Sequence, residues 1–309
     1  MSKTVLIFEH KGGRLGNQLW NYASILAYCF EKGYRCKNIT FREYTDIFDA
    51  THSSRIADTV LKYLPGRVAN KIITLNSQHI KTNHAESVIS SGDSIGDDAR
   101  APFYLAPSEN RNTEQNTSLT AAESSQYPCI YFSGWLFRNP AGMAKYHKEI
   151  STFFKPNKHI QAKVTLTFNH LRSKYKRVIG VHIRKKDYKG YWGGRFYFTE
   201  AEVRPLLDDY LARSGADRDK TVFVICSDET VDASAFDGLS IHINNGSIGE
   251  DFFMLSSCDA IVGSDSTFGA MAAYLGDIPI VFFNKDAVDW KRLEHKGYNY
   301  DNGSLNIQH

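Results

Sequence analysis

Between residues 177 and 283 short apolar runs alternate with helical ones, and few folds accommodate that rhythm. Residues 177–183, 221–227, 240–243, 260–262 and 278–283 read as strands. Between them, residues 200–213 carry Val203, Leu206, Leu207 and Leu211 on one helical face, and 251–257 and 268–275 read as further helices. Strands spaced by helices in this way imply a parallel sheet with helices on both faces. The first run suits a strand buried on both faces, since Val178, Ile179, Val181 and Ile183 are all apolar and β-branched.

That run then turns abruptly polar, with His182, Arg184, Lys185, Lys186 and Asp187 inside six positions. The carboxyl ends of parallel strands are where open α/β sheets bind ligands. Three cations there suit an anion, and a guanidinium can grip phosphate through two parallel hydrogen bonds. An ordinary solvated basic loop is the competing reading. Two other strand ends have matching chemistry. One closes on Ser227, Asp228 and Glu229; the other runs into Ser264, Asp265, Ser266 and Thr267 and opens a helix. Hydroxyls at that position cap the helix, and the amides of a helix N-terminus can also hold phosphate. If the three ends are neighbours in one sheet, they form a nucleotide site.

In the first half, residues 5–8 read as a buried strand and Lys11-Gly-Gly-Arg-Leu-Gly-Asn17 as a turn. Residues 18–32 follow as a helix, with Leu19, Tyr22, Ala23, Leu26, Ala27 and Phe30 at helical spacing until Gly33. Gly12, Gly13 and Gly16 miss the dinucleotide-binding spacing, and no Gly-Lys-Ser/Thr closes a P-loop. Asn17 and Gln18 instead offer amide groups suited to sugar hydroxyls, with Glu9 and His10 beside the turn. A helix is expected at 55–64, stopped by Pro65-Gly66, and the polar composition of 76–126 predicts a loop-rich insertion. Residues 129–132 read as the last strand of this half, followed by Trp135, which can stack on a sugar or fill the core. Helices are expected at 145–154 and 159–176, with a boundary at Pro156. The chain therefore divides into domains 1–156 and 157–309.

A length of 309 residues exceeds one ordinary core and suits two. Lys and Arg total 37 against 34 Asp and Glu, a net charge of +3, so composition gives no case for nucleic acid and any cationic site must be local. Cys29, Cys36, Cys129, Cys226 and Cys258 are scattered without a CxxC pair, which points to free thiols in a reducing compartment and supports neither a disulfide framework nor a metal cluster. Asp217-Arg-Asp219 spells the DxD of metal-dependent transferases, but it precedes a strand and reads as a solvated turn. The apolar run before Glu9 is too short for a signal peptide, and no run reaches the ~18 apolar residues of a spanning helix. The expectation is a soluble, cytoplasmic protein without a membrane span.

Several stretches, in order, carry a resemblance. They are Gly13-Arg-Leu-Gly-Asn-Gln18 with Tyr22-Ala23, Tyr131-Phe-Ser-Gly-Trp135, Val181-His-Ile-Arg-Lys-Lys-Asp-Tyr188 and Phe223-Val-Ile-Cys-Ser-Asp228. Asp251-Phe-Phe-Met-Leu-Ser-Ser-Cys-Asp259, Ser266-Thr-Phe-Gly and Ala272-Ala-Tyr-Leu275 complete the set. From about residue 12 to 285 it resembles the α-1,2-fucosyltransferases, glycosyltransferase family 11. The likeness departs at Lys185, where the family has a second arginine, and at Ala270-Met271, where it has a tryptophan pair.

The resemblance implies an α/β protein of GT-B type, two Rossmann-like domains facing across a cleft. It implies an inverting enzyme that takes L-fucose from GDP-fucose, needs no metal, and delivers the sugar to a glycan acceptor, the 2-OH of a galactoside. It places guanine on His182 and Asp228, the diphosphate on Arg184 with Lys185, and the pyrophosphate turn on Ser266, Thr267 and Phe268. Gly16, Asn17, Gln18 and Trp135 fall on the acceptor side. The chemistry requires a cation for the leaving diphosphate, which Arg184 supplies, and a base for the acceptor hydroxyl. Asp187 is the first candidate base, a structural salt bridge or turn hydrogen bond being its alternative, with Glu9 and His10 behind it. A transferase using another nucleotide sugar, or a non-catalytic nucleotide- or glycan-binding module, stays open at this point.

Overall fold

The computed structural model describes residues 2–10, 12–49, 66–91, 103–104 and 114–295. The chain forms two compact units, Met1–Lys155 and Pro156–His309.

In the first unit β1 (Thr4–Glu9), β2 (Arg35–Asn38), β3 (Val88–Ser91) and β5 (Cys129–Gly134) pair in parallel in the order β2-β1-β5-β3. A separate parallel pair joins β4 (Phe103–Tyr104) to β6 (Phe137–Arg138). The helix Leu15–Lys32 links β1 to β2 and is buried nearly all round, from Leu15 and Leu19 to Tyr28 and Cys29. Gly33, left-handed at φ 65°, ends it. Phe30, expected on the core face, is instead 37% exposed at the last turn. Tyr22 packs among Phe41, Phe153 and Phe154, with edge-on rings 5.3–5.6 Å apart.

The stretch 76–126 is not simply loop. The helix Gly66–Asn83 runs into it, β3 joins the sheet, and the helix Glu114–Ser124 buries Leu119 and Ala122. Two apolar positions on one face anchor that last helix, which the low apolar content conceals. Lys3 Nζ donates to Ala122 O and Ser125 O near its carboxyl end, at 3.1 and 2.7 Å. Gly66, expected to stop a helix, begins one, and the helix expected at 55–64 lies outside the described residues.

The second unit carries β7 (Arg177–Ile183), β8 (Thr221–Ser227), β9 (Ser240–Ile243), β10 (Ala260–Gly263) and β11 (Ile280–Phe282). All pair in parallel, in the order β11-β10-β7-β8-β9. Read from β9, this is the 3-2-1-4-5 order of a dinucleotide-type sheet, which reverses direction between β7 and β10. Ile179, Val181 and Ile183 face Val203, Leu207, Phe223 and Ile225 in a buried core. The helix Glu200–Ser214 starts with a reciprocal capping box between Thr199 and Glu202. The helix expected from 251 begins earlier, at Ile248, because the Ser247 side chain caps it by accepting from Glu250 N. The 217–219 turn is exposed, with the Asp217 side chain accepting from Asp219 N. Cys226 and Cys258 are buried free thiols.

Candidate functional site

The second sheet brings three polar strand ends side by side. Gly263 of β10 pairs with His182 of β7, which pairs with Cys226 of β8. A Cβ on Gly263 would stand 2.8 Å from His182 O, so only glycine lets β10 approach here. Beyond the strands the loops are tied together. Arg184 N donates to Ser264 Oγ at 2.9 Å, and Lys185 N donates to Asp228 Oδ1 at 2.8 Å. The start of the basic loop is therefore fixed from both sides, by hydroxyl and carboxylate groups of neighbouring strands.

His182 is 6% exposed, with its ring 5.2 Å from that of Phe268 and Nδ1 3.3 Å from Ser266 Oγ. Burial and the nearby Arg184 push its pKa down to about 4 against the pull of Asp228, so the imidazole is neutral at pH 7. Ser266 caps the helix Thr267–Gly276, its Oγ accepting from Gly269 N at 3.3 Å. Thr267 and Phe268 are thus the first two residues of a capped helix that opens beside His182.

Arg184 keeps a partly exposed side chain, 18% accessible. Its Nε and Nη2 donate to the two oxygens of Asp187, at 3.0 and 2.6 Å, and its guanidinium lies 4.6 Å from the centre of the Tyr188 ring. Tyr188 OH in turn donates to Asp265 O at 2.6 Å. The carboxylate fork and the ring together fix the plane of the guanidinium.

Lys185, expected among the donor contacts, is 6% exposed, and its ammonium pairs with Glu200 and donates to Thr230 O. Burial would raise the Glu200 carboxyl, but Lys185 and the amides of Glu200 and Asp232 bring it below the usual range. This lysine holds the loop to the helix behind it, and Asp228 spends Oδ1 on the backbone of Lys185. Glu200 lies 15 residues downstream of Lys185, so no local pattern marks the pair. The surroundings of Asp251, quoted above only as part of a motif, are likewise set at longer range: it accepts from Asn244 Nδ2 at 2.6 Å, and burial raises its pKa to about 6.

Asp265 follows β10 between two serines. Burial lifts its carboxyl to about 7, opposed by Arg292 and Arg195, and its Oδ1 has no hydrogen-bond partner among the described residues. The folded value lies above the ordinary 3.8, so stability from this group is full below pH ~4 and is lost as pH rises through 7. Thermal melts from pH 4 to 8 are expected to show this fall, and Asp265→Asn is expected to flatten it. Equal slopes for both proteins would remove Asp265 from that role.

The remaining expected residues collect in the first unit, at the carboxyl ends of β1 and β5. Trp135 follows β5 and lies against Gly12, where a Cβ would stand 2.8 Å from Trp135 Nε1. Gly16 is buried in the first turn of the helix, and Asn17 and Gln18 are partly exposed. Gln18 Nε2 lies 3.5 Å from Gly13 O, and its Oε1 is buried without a partner among the described residues. Glu9 accepts from Ser133 Oγ at 2.7 Å and pairs with Lys81 at 2.6 Å. Burial lowers the His10 pKa to about 4, with Arg138 acting the same way and the Gly134 backbone opposing.

Among the described residues no group of three or more His, Cys, Asp or Glu side chains is placed to hold a metal ion. No described helix is long and apolar enough to cross a membrane.

The sequence profile of glycosyl transferase family 11 matches residues 106–302. Over 202 residues the chain is 29% identical to galactoside alpha-(1,2)-fucosyltransferase 1 of Oryctolagus cuniculus, covering 55% of this chain and 50% of that protein. Over 170 residues it is 30% identical to galactoside alpha-(1,2)-fucosyltransferase 2 of Bos taurus, covering 48% and 43%. The chain spans about half the length of the curated relatives it matches. Among solved structures, NodZ alpha-1,6-fucosyltransferase with GDP superposes with a TM-score of 0.52 at 15% identity, over 94% of this chain and 98% of that one. A mutant of Arabidopsis thaliana FUT1 with GDP gives 0.52 at 13% identity, over 91% and 70%. The fold class is therefore that of the GT-B fucosyltransferases, as the sequence led one to expect.

Proposed function

This chain belongs to glycosyl transferase family 11, and from that premise we propose that it transfers L-fucose from GDP-fucose to a hydroxyl of a galactoside, with inversion at the anomeric carbon and without a metal. The observation that carries the reading is the fixing of Arg184 at the reversal of the second sheet. Ser264 and Asp228 hold its loop from either side, while Asp187 and Tyr188 fix a side chain that keeps 18% of its surface exposed. In this reading His182, neutral and with Nδ1 beside Ser266 Oγ, reads guanine together with Asp228. Arg184 and the amides opened by Thr267 and Phe268 take the diphosphate, neutralising charge as the glycosidic bond breaks. Lys185 contributes through its backbone and its anchor on Glu200 rather than as a phosphate ligand.

The acceptor belongs to the first unit, where Gly16, Asn17, Gln18 and Trp135 supply amide groups and an apolar face. Asp187 is drawn toward Arg184 and so acts first as the group that orients it. His10, neutral at pH 7 because burial lowers its pKa to about 4, is the other base candidate. The names of the curated relatives, both galactoside fucosyltransferases, support the choice of donor and acceptor.

The test is incubation of the purified protein with GDP-fucose and a panel of β-galactosides, with and without a chelator. Release of GDP and an acceptor heavier by one deoxyhexose, unaffected by the chelator, is the expected result. GDP binding without turnover across the panel would make the chain a binding module, and turnover only with another nucleotide sugar would overturn the choice of donor.

A further inference from the structure

After Tyr188 the basic loop continues into Tyr191, Trp192, Gly193 and Gly194. Trp192 is 59% exposed and Tyr191 40%. Apart from Asp277 at a helix end, Trp192 is the one non-glycine residue with positive φ among the described residues, at φ 48° and ψ 45°. Gly193 and Gly194, at φ 64° and 78°, continue the left-handed path. A bulky residue in that region is strained, and an exposed one relaxes unless its surroundings hold it. The surroundings here are aromatic. Tyr191 stacks on Tyr188 at 5.7 Å with planes 19° apart, and Trp192 meets Tyr191 edge-on at 6.4 Å. Tyr188 is the ring that lies under Arg184.

We propose that the indole of Trp192, braced edge-on by a Tyr191 that itself packs on Tyr188 and Phe196, is a stacking platform for a pyranose ring at the edge of the site built on Arg184. The apolar C–H face of a sugar carries slight positive charge and packs on the electron-rich face of an indole or phenol. A loop that begins at Arg184 and leaves this indole 59% exposed offers such a face beside the proposed diphosphate site, to a sugar joined to or approaching it. The platform rests on the reading of the site as one for a nucleotide sugar and names the sugar-ring contact within it. The ring can come from the donor or from the acceptor glycan, and the two are separable.

The experiment compares wild type with Trp192→Ala, Tyr191→Ala and Trp192→Phe. Affinities for GDP and GDP-fucose are measured by calorimetry, and KM for the acceptor by initial rates. GDP affinity is expected to stay within about twofold for all three. Trp192→Ala is expected to weaken either GDP-fucose binding or acceptor KM by about tenfold, the worth of one stacked ring, and Trp192→Phe is expected to restore most of it. A change confined to GDP-fucose assigns the platform to the donor; a change confined to KM assigns it to the acceptor. If both stay at wild-type values in Trp192→Ala and Tyr191→Ala, the platform is wrong while the proposed function stands. If wild type binds no GDP, the function itself fails and the platform with it.

Discussion

Arg184→Ala is expected to lower kcat/KM for GDP-fucose by about 10²–10³-fold, the scale of losing one preorganised donor to developing negative charge. The structure isolates this effect from folding. The side chain is partly exposed, and the backbone amide that meets Ser264 survives the substitution. Melting temperature should therefore hardly move. Arg184→Lys restores charge without the planar fork that Asp187 engages, and should recover only part of the loss. Asp187→Asn sharpens the assignment. As orienting partner, Asp187 gives way with a moderate loss and an unchanged pH profile; as base, its loss would abolish the acidic limb, where a protonated base stops the reaction. A variant lacking Arg184 that releases GDP at the wild-type rate would end the assignment of the site.

Lys185→Ala is expected to act in the opposite way, on stability first. Both partners of the Lys185–Glu200 pair are largely buried, 7% and 14% accessible, and removal of the lysine leaves the carboxylate at a helix start without its cation, held only by the amides of Glu200 and Asp232. Breaking such a pair from one side costs ~3–5 kcal/mol, read as a large drop in the denaturant midpoint. Replacing both residues together, Lys185→Met with Glu200→Leu, should recover most of that, because an apolar pair of similar volume leaves no charge unpaired. A single variant as stable as wild type would show that water reaches the pair. Adjacent in sequence, Arg184 and Lys185 thus separate into a group proposed to meet ligand and a group that holds the loop.

That separation marks where the sequence stops being readable. The strands of the second unit are legible because β-branched residues buried on both faces leave a continuous apolar run, as from Val178 to Ile183. The polar burst after it is legible for the same reason, since the contrast is local. What the burst does is settled at longer range. Three cations in a row read alike until Glu200 claims one of them and Asp187 another. Asp228 looks like a ligand-facing group at a strand end, yet one oxygen serves the amide of Lys185. The helix Glu114–Ser124 was hidden by composition, because Leu119 and Ala122 suffice for its buried face. Trp192 carries no signal in the sequence, because an exposed aromatic in a glycine-rich loop has no periodicity to stand out from.

The placing of β7 at the middle of its sheet governs when the basic loop can take shape. β7 pairs with β8 and with β10, and the serine that receives the amide of Arg184 comes 80 residues later in the chain. During synthesis one edge of β7 therefore stays open until β10 has emerged, an unpaired row of amides and carbonyls that invites pairing with another chain. Closure over so long a stretch is slow compared with local helix formation. The basic loop cannot mature ahead of the sheet, so a chain interrupted before β10 would be left with neither the Ser264 tie nor a protected edge.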